Sequence, residues 1–252
     1  MKYIYLFVLM SVSITLRAQT DSLPSKVYHL SELHVLKDSS RYRIQIIDGA
    51  TPYLTNLEVH VTILEPGKSA HPPHVHDSTE ELIIVKEGKL RVTVAANTKI
   101  LGPGGVSMAM PGDVHETVNA GNEKATYYLL KYTKQKPDSS KTITSVMVDW
   151  NEVKVDKTDR GLRRQQFNQP TVLFEQFDMH ATTLNEGQIS HPPHTHRQEE
   201  IIIVRKGTIE MQIGDTFTKA ATGDLIFLNS GVLHALKNLS NGQCEYFAFQ
   251  WK

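Results

Sequence analysis

Two segments of the chain carry residues with the types and spacing of a metal site. The first, HPPHVHDSTEELIIVKEG, runs from His71 to Gly88, and the second, HPPHTHRQEEIIIVRKG, runs from His191 to Gly207. Each has a histidine, two prolines, an H-x-H pair, a carboxylate, an apolar run and a glycine. Residues i and i+2 of an extended strand point to the same side, so His74 and His76 can face one ion together, as can His194 and His196. A single H-x-H is weak evidence, but ten of the 12 histidines occupy positions matched between the two halves, leaving out only His29 and His34.

That matching extends along the whole chain. An offset of 120 residues relates Glu32 to Glu152, Arg43 to Arg163, His60 to His180 and His71 to His191. Beyond the H-x-H pair the offset is 119, linking Glu81 to Glu200, Gly104 to Gly223, His115 to His234 and Asn119 to Asn238. The chain therefore contains two copies of one unit of about 120 residues. The expected organisation is a unit over 20–132, a polar linker over 133–145 containing KQKPDSSK, and a second unit over 146–252. Leu57–Ile63 alternates apolar and polar residues like a half-buried strand. The runs Leu82–Val85 and Ile201–Val204 are continuously apolar, as strands buried on both faces would be. Glycine turns separate these runs and no long amphipathic helix is evident, so the expected class is an all-β barrel or jelly roll. Tyr127, Tyr128, Tyr246 and Phe247 are read as core.

The balance of 27 basic and 27 acidic residues gives no reason to expect nucleic acid or an anionic membrane as a partner. A single cysteine, Cys244, excludes an intramolecular disulfide and any cysteine-rich zinc site. Residues 1–19 have the pattern of a secretory signal peptide: Lys2, an apolar run of 13 residues from Ile4 to Leu16, and a small residue at Ala18. That run is shorter than the ~20 residues of a membrane-spanning helix. The expected location is outside the cytoplasm, in a bacterial periplasm, with no membrane association once the signal is cut.

In each half the H-x-H block is followed by a second block of glycine, strand, glycine, histidine and asparagine: Gly104, Gly112, His115 and Asn119, then Gly223, Gly231, His234 and Asn238. Together the blocks resemble the two motifs of the cupin family, and with two units the chain looks like a bicupin. The resemblance covers essentially all of the chain after the signal and implies tandem double-stranded β-helix (jelly-roll) barrels, each binding a divalent metal through three histidines and a glutamate. The implied ligands are His74, His76, Glu81 and His115, and His194, His196, Glu200 and His234. Glu80 and Glu199 adjoin the ligand carboxylates, but Glu81 and Glu200 stand seven positions before the turn glycine, as the motif requires. Both units depart from the family two residues before the second-block glycine, where Met110 and Asn229 replace a usual proline at a position that shapes a turn.

Imidazoles and a carboxylate suit Mn, Fe, Zn, Ni or Cu, and four protein ligands leave coordination positions open. In oxalate-converting bicupins an arginine stands three residues before the first ligand. Here His71 and His191 occupy that place, which counts against oxalate. They are candidates for acid–base groups or pocket liners beside the metal, and equally for solvated turn residues. His60 and His180 lie on the polar side of their strand. The expected function is a metal-dependent enzyme on a small oxygenated substrate, of dioxygenase, decarboxylase or sugar-acid isomerase type. The alternative is a non-catalytic periplasmic binder of sugars or other small molecules, and complete ligand sets argue against a storage role. A barrel with a continuous outer sheet also offers an edge for homo-oligomer formation.

Overall fold

The computed structural model describes residues 22–38, 41–135 and 143–252; the expected signal peptide and most of the expected linker lie outside them. Among the described residues the secondary structure is strand apart from two short 3-10 turns, Leu30–Glu32 and Trp150–Glu152. The strands of the first half are β1 (Lys26–Tyr28), β2 (Val35–Asp38), β3 (Arg41–Gly49), β4 (Asn56–Leu64), β5 (Thr79–Glu87), β6 (Leu90–Val94), β7 (Asn97–Leu101), β8 (Val106–Ala109), β9 (His115–Asn119) and β10 (Ala125–Thr133). The second half repeats them as β11 (Val146–Val148), β12 (Val155–Thr158), β13 (Gly161–Gln169), β14 (Phe177–Leu184), β15 (Glu199–Lys206), β16 (Thr208–Ile213), β17 (Thr216–Ala221), β18 (Leu225–Leu228), β19 (His234–Asn238) and β20 (Cys244–Trp251). No helix among the described residues is long and apolar enough to cross a membrane.

Each barrel closes a seven-stranded sheet, in the order β11-β8-β5-β10-β4-β3-β2 or β1-β18-β15-β20-β14-β13-β12, over a three-stranded one, β7-β6-β9 or β17-β16-β19. The edge strands are exchanged: β1 pairs with β18 and β11 with β8, so each barrel completes its large sheet with a strand from the other half of the sequence. Covering an edge in this way removes a row of unpaired backbone groups.

The exchange explains the two missing prolines. Met110 N–H donates to Ser145 Oγ at 2.9 Å, and Asn229 N–H donates to Ser25 Oγ at 2.8 Å. Both serines lie just before the incoming strand. Proline has no N–H to give and would lose this tie.

The apolar runs are buried on both faces, as their composition predicts. Leu82 and Ile84 of β5 enter the core between the two large sheets, whereas Ile83 and Val85 enter the interior of the first barrel. Ile201 and Ile203 of β15, and Ile202 and Val204, divide in the same way in the second half. The core between the barrels is aromatic: Tyr132 meets Phe174, Phe177 and Trp251 edge-on, with ring centroids 5.1–5.6 Å apart. Tyr127, Tyr128, Tyr246 and Phe247 are all buried.

Candidate metal centres

The H-x-H pairs are not on a regular strand. They lie in irregular segments ahead of β5 and β15, where Pro72-Pro73 and Pro192-Pro193 cannot donate to a ladder. One isolated bridge fixes each segment. His74 and His115 exchange backbone hydrogen bonds of 3.1 and 2.8 Å, and His194 and His234 exchange bonds of 3.1 and 3.0 Å. This bridge brings the first histidine of one motif beside the histidine of the other, with imidazole centroids 4.4 Å apart in both barrels.

The rings are oriented by backbone carbonyls. Nδ1 of His74, His115, His194, His196 and His234 lies 2.9–3.2 Å from the carbonyl of Pro72, Asp113, Pro192, Gln198 and Val232 respectively. A carbonyl accepts only from N–H, so Nδ1 carries a proton, and in the neutral form of each ring the lone pair is on Nε2. In the first barrel, ligand atoms of His74, His76, Glu81 and His115 all fall within 4.8 Å of one another. In the second, those of His194, His196 and His234 do so. Glu200 Oε2 stands 3.1 Å from His196 Nε2 and 3.3 Å from His234 Nε2. Nε2 of His76 and of His115 is buried without a hydrogen-bond partner, an arrangement that a bound cation would satisfy. Three imidazoles and one carboxylate in each barrel therefore form a set that can hold a divalent metal.

Both carboxylates are ionised. Burial raises the Glu81 carboxyl, but His115 and His76 outweigh it and hold the group well below the usual range. The same competition, with His196 and His234, leaves Glu200 at about 2. His74 and His194 are lowered, chiefly by burial, which favours the neutral ligand form. His115 and His234 are raised: burial opposes their charge but the adjoining glutamate prevails.

Glu80 and Glu199 turn the other way, into the contact between barrels. Glu80 Oε1 accepts from Leu173 N–H at 2.7 Å, and Glu199 Oε2 accepts from Thr51 Oγ1 at 2.8 Å and Trp251 Nε1 at 3.0 Å. The motif asparagines are fasteners. Asn119 Nδ2 donates to the carbonyls of Leu64 and Glu123, and Asn238 Nδ2 to those of Leu184 and Gly242, at 2.8–3.0 Å.

His71 and His191 stand beside the sets, with ring centroids 5.5 Å from His74 and 5.3 Å from His194. Burial lowers both; a nearby arginine, Arg41 and Arg160 respectively, acts in the same direction. Arg41 Nη1 lies 2.6 Å from His71 Nε2, and Arg160 donates to the carbonyl of Ser190. His60 Nδ1 lies 3.1 Å from Glu58 and His180 Nδ1 3.7 Å from Asp178, inside the barrels.

The structure adds a residue that the sequence reading missed. Lys131 Nζ lies 4.0 Å from Glu81 Oε2, whereas the equivalent position in the second barrel holds Gln250, whose Nε2 is 3.5 Å from Glu200 Oε1. The offset of 119 pairs these two positions, so the repeat carried the signal. Arg41 had none, because it faces Gly161 in the repeat.

The model of the cupin domain matches this chain twice, over residues 60–131 and 181–249. The chain belongs to the cupin family. It is similar in fold to solved bicupins across nearly its whole length. Ylba from E. coli superposes with a TM-score of 0.71 at 15% identity, over 94% of this chain and 95% of that one. AerE from Microcystis aeruginosa gives 0.69 at 16% identity, over 90% and 98%. Oxalate decarboxylase from Lactobacillus farciminis, as a formate complex, gives 0.70 at 11% identity, over 92% and 87%. No curated protein matches significantly by sequence.

Proposed function

We propose that this bicupin is an exported, metal-dependent enzyme acting on a small oxygenated substrate, with a divalent ion held in each barrel. The ligands are His74, His76, Glu81 and His115 in the first, and His194, His196, Glu200 and His234 in the second. The observation that carries this reading is the convergence, in both barrels, of three imidazoles on a buried carboxylate. Mn, Fe, Zn, Ni and Cu all suit that donor set. A bound ion supplies open positions at which an oxygen atom of a substrate is polarised.

The chain's own residues account for the rest. The carbonyls of Pro72, Asp113, Pro192, Gln198 and Val232 fix ring tautomers, so the lone pairs need no reorganisation before binding. His191 lines the approach to the second set, and partial desolvation lowers its pKa, which favours the neutral form of a group placed to exchange a proton with a substrate. The reactions to be screened are those of a dioxygenase, a decarboxylase and a sugar-acid isomerase. The similarity to oxalate decarboxylases is one of fold, and the place of their arginine is occupied by His71 and His191. Export rests on the leader pattern of residues 1–19.

Elemental analysis of the mature protein gives metal identity and atoms per chain, with a value near two expected. Turnover on sugar acids, small carboxylic acids and phenolics is expected to stop on chelation and in His74→Ala or His194→Ala. Saturable uptake with no product would instead make it a binding protein. Failure to hold Mn, Fe, Zn, Ni or Cu after reconstitution would end the proposal.

A further inference from the structure

The two barrels have the same ligands but not the same interior. On the strand rung beside the metal set, β4, β10 and β5 of the first barrel align Glu58, Lys131 and Glu81. The second barrel aligns Asp178, Gln250 and Glu200. One rung further in, Leu129 is replaced by Ala248. These three changes remove bulk or charge from the first barrel to the second: a shorter acid, an amide for an ammonium, a methyl for an isobutyl group. On the neighbouring strand of the same rung Leu228 replaces Ala109 and adds bulk.

The removed bulk leaves space. A cavity of about 40 Å³ lies against His194, Glu200 and His234 and is floored by Ala248 and Gln250. It adjoins a mouth of about 270 Å³, and His180, Ser190, His191 and Tyr246 line both. The residues facing it are correspondingly open: the His180 side chain is 15% exposed, against 5% for His60. At roughly 30 Å³ for each water-sized group, the mouth has room for a small organic molecule and no more.

The charge of this mouth is set by two arginines, counterparts of Arg41 (by contact rather than by repeat position) and Arg43 in the first barrel, where Arg43 is paired with Glu58. Arg160, from the β12–β13 turn, and Arg163, from β13, both line it, with Asp159 as the acidic lining residue. Arg163 Nη2 donates to Gln165 Oε1 at 2.9 Å and stands 4.0 Å from Asp178 Oδ2, and its Nε is buried with no partner. A planar guanidinium with an unused buried N–H suits the paired oxygens of a carboxylate. The sequence motif lacks an arginine before the first ligand, yet the β12–β13 hairpin delivers two to the same pocket.

From this we infer that the second barrel is the substrate-taking one, and that its mouth is a subsite for a small carboxylic acid. The acid's carboxylate lies against Arg160 and Arg163, and its remaining atoms point inward past His180 and His191 to the ligand set. The inference rests on the metal-enzyme reading for what happens at the inner end, but the subsite itself does not need the metal. In the first barrel Leu129 and Lys131 stand at the positions of Ala248 and Gln250, the floor of the inner cavity.

The test is direct binding by calorimetry to the full mature protein, with metal content measured on the same samples. The probes are lactate, malonate, succinate and gluconate, each beside its amide. At least one acid should bind about tenfold or more tightly than its amide. Arg160→Gln, an exposed turn substitution, and Arg163→Gln should each reduce that preference several-fold, and the double variant should abolish it. Ala248→Leu, which installs the first barrel's residue, should block binding, whereas Leu129→Ala should not alter it. Acids bound no better than amides, or an acid preference that survives in the double variant, would overturn the subsite. Protein that keeps the preference but holds none of Mn, Fe, Zn, Ni or Cu after reconstitution would retain the subsite and lose the proposed enzyme, so the two failures are distinct.

Discussion

Two tyrosines at the contact between barrels should respond in opposite ways to the same substitution. Tyr128 is buried and its hydroxyl donates at 2.8 Å to the carbonyl of Gly223, across the contact in the second barrel. Tyr132 is fully buried, with its hydroxyl unpartnered among Phe174, Phe177 and Trp251. Phenylalanine at 128 keeps the ring but orphans a buried carbonyl, at a cost of about 1–2 kcal/mol. Phenylalanine at 132 keeps every ring contact and removes a desolvated hydroxyl, a gain of about 1 kcal/mol. In a chain of this length each kcal/mol moves the thermal midpoint by about 2–4 °C. The variants should therefore fall on either side of the wild type, separated by roughly 4–12 °C. Scanning calorimetry at pH 8, with circular dichroism to check that a single transition is followed, measures this. A Tyr132→Phe protein less stable than wild type would mean that the hydroxyl has a partner, and the account of the contact would be wrong.

Three further outcomes are expected. Burial raises Glu80 to about 7, against Leu173 N–H and Thr171, so its folded-state value lies above the unfolded 4.5. The stability it contributes is then complete below about 4.5 and lost as pH rises through about 7, up to about 3 kcal/mol. Glu80→Gln should match wild type at pH 5 and exceed it at pH 8 in urea unfolding; a variant weaker than wild type at pH 8 refutes this. Gly104→Ala should cost more than Gly112→Ala: both glycines have φ near +90°, but an added Cβ at 104 would lie 2.6 Å from Trp150 Cε3, whereas at 112 it meets nothing within 4 Å. Strain alone accounts for about 1 kcal/mol, and the clash with the exchanged segment should at least double it. Finally, chelation should lower the thermal midpoint; free metal at a hundred times its Kd is worth about 2.7 kcal/mol. That shift should vanish in the His74→Ala, His194→Ala double variant.

The duplicated sequence contained the fold class and the architecture of the two units, because local pattern suffices for both. The doubly buried strands Leu82–Val85 and Ile201–Val204 are legible from composition alone, since a strand shielded on both faces has no polar side to show. The grouping of His74 and His76 with His115 was implied by the resemblance to the cupin motifs. The strand geometry assumed for the H-x-H pairs did not hold, because the preceding prolines cannot join a ladder and one bridge to His115 or His234 positions them instead. Beyond the reach of spacing lie the exchange of β1 and β11, the partners that Glu80 and Glu199 find in the contact between barrels, and the meeting of Arg160 and Arg163 with His191. Each of these depends on which surfaces meet after the chain has closed on itself. A residue's neighbours along a strand are fixed by the chain, but its neighbours across a barrel are fixed only by how the sheets pack.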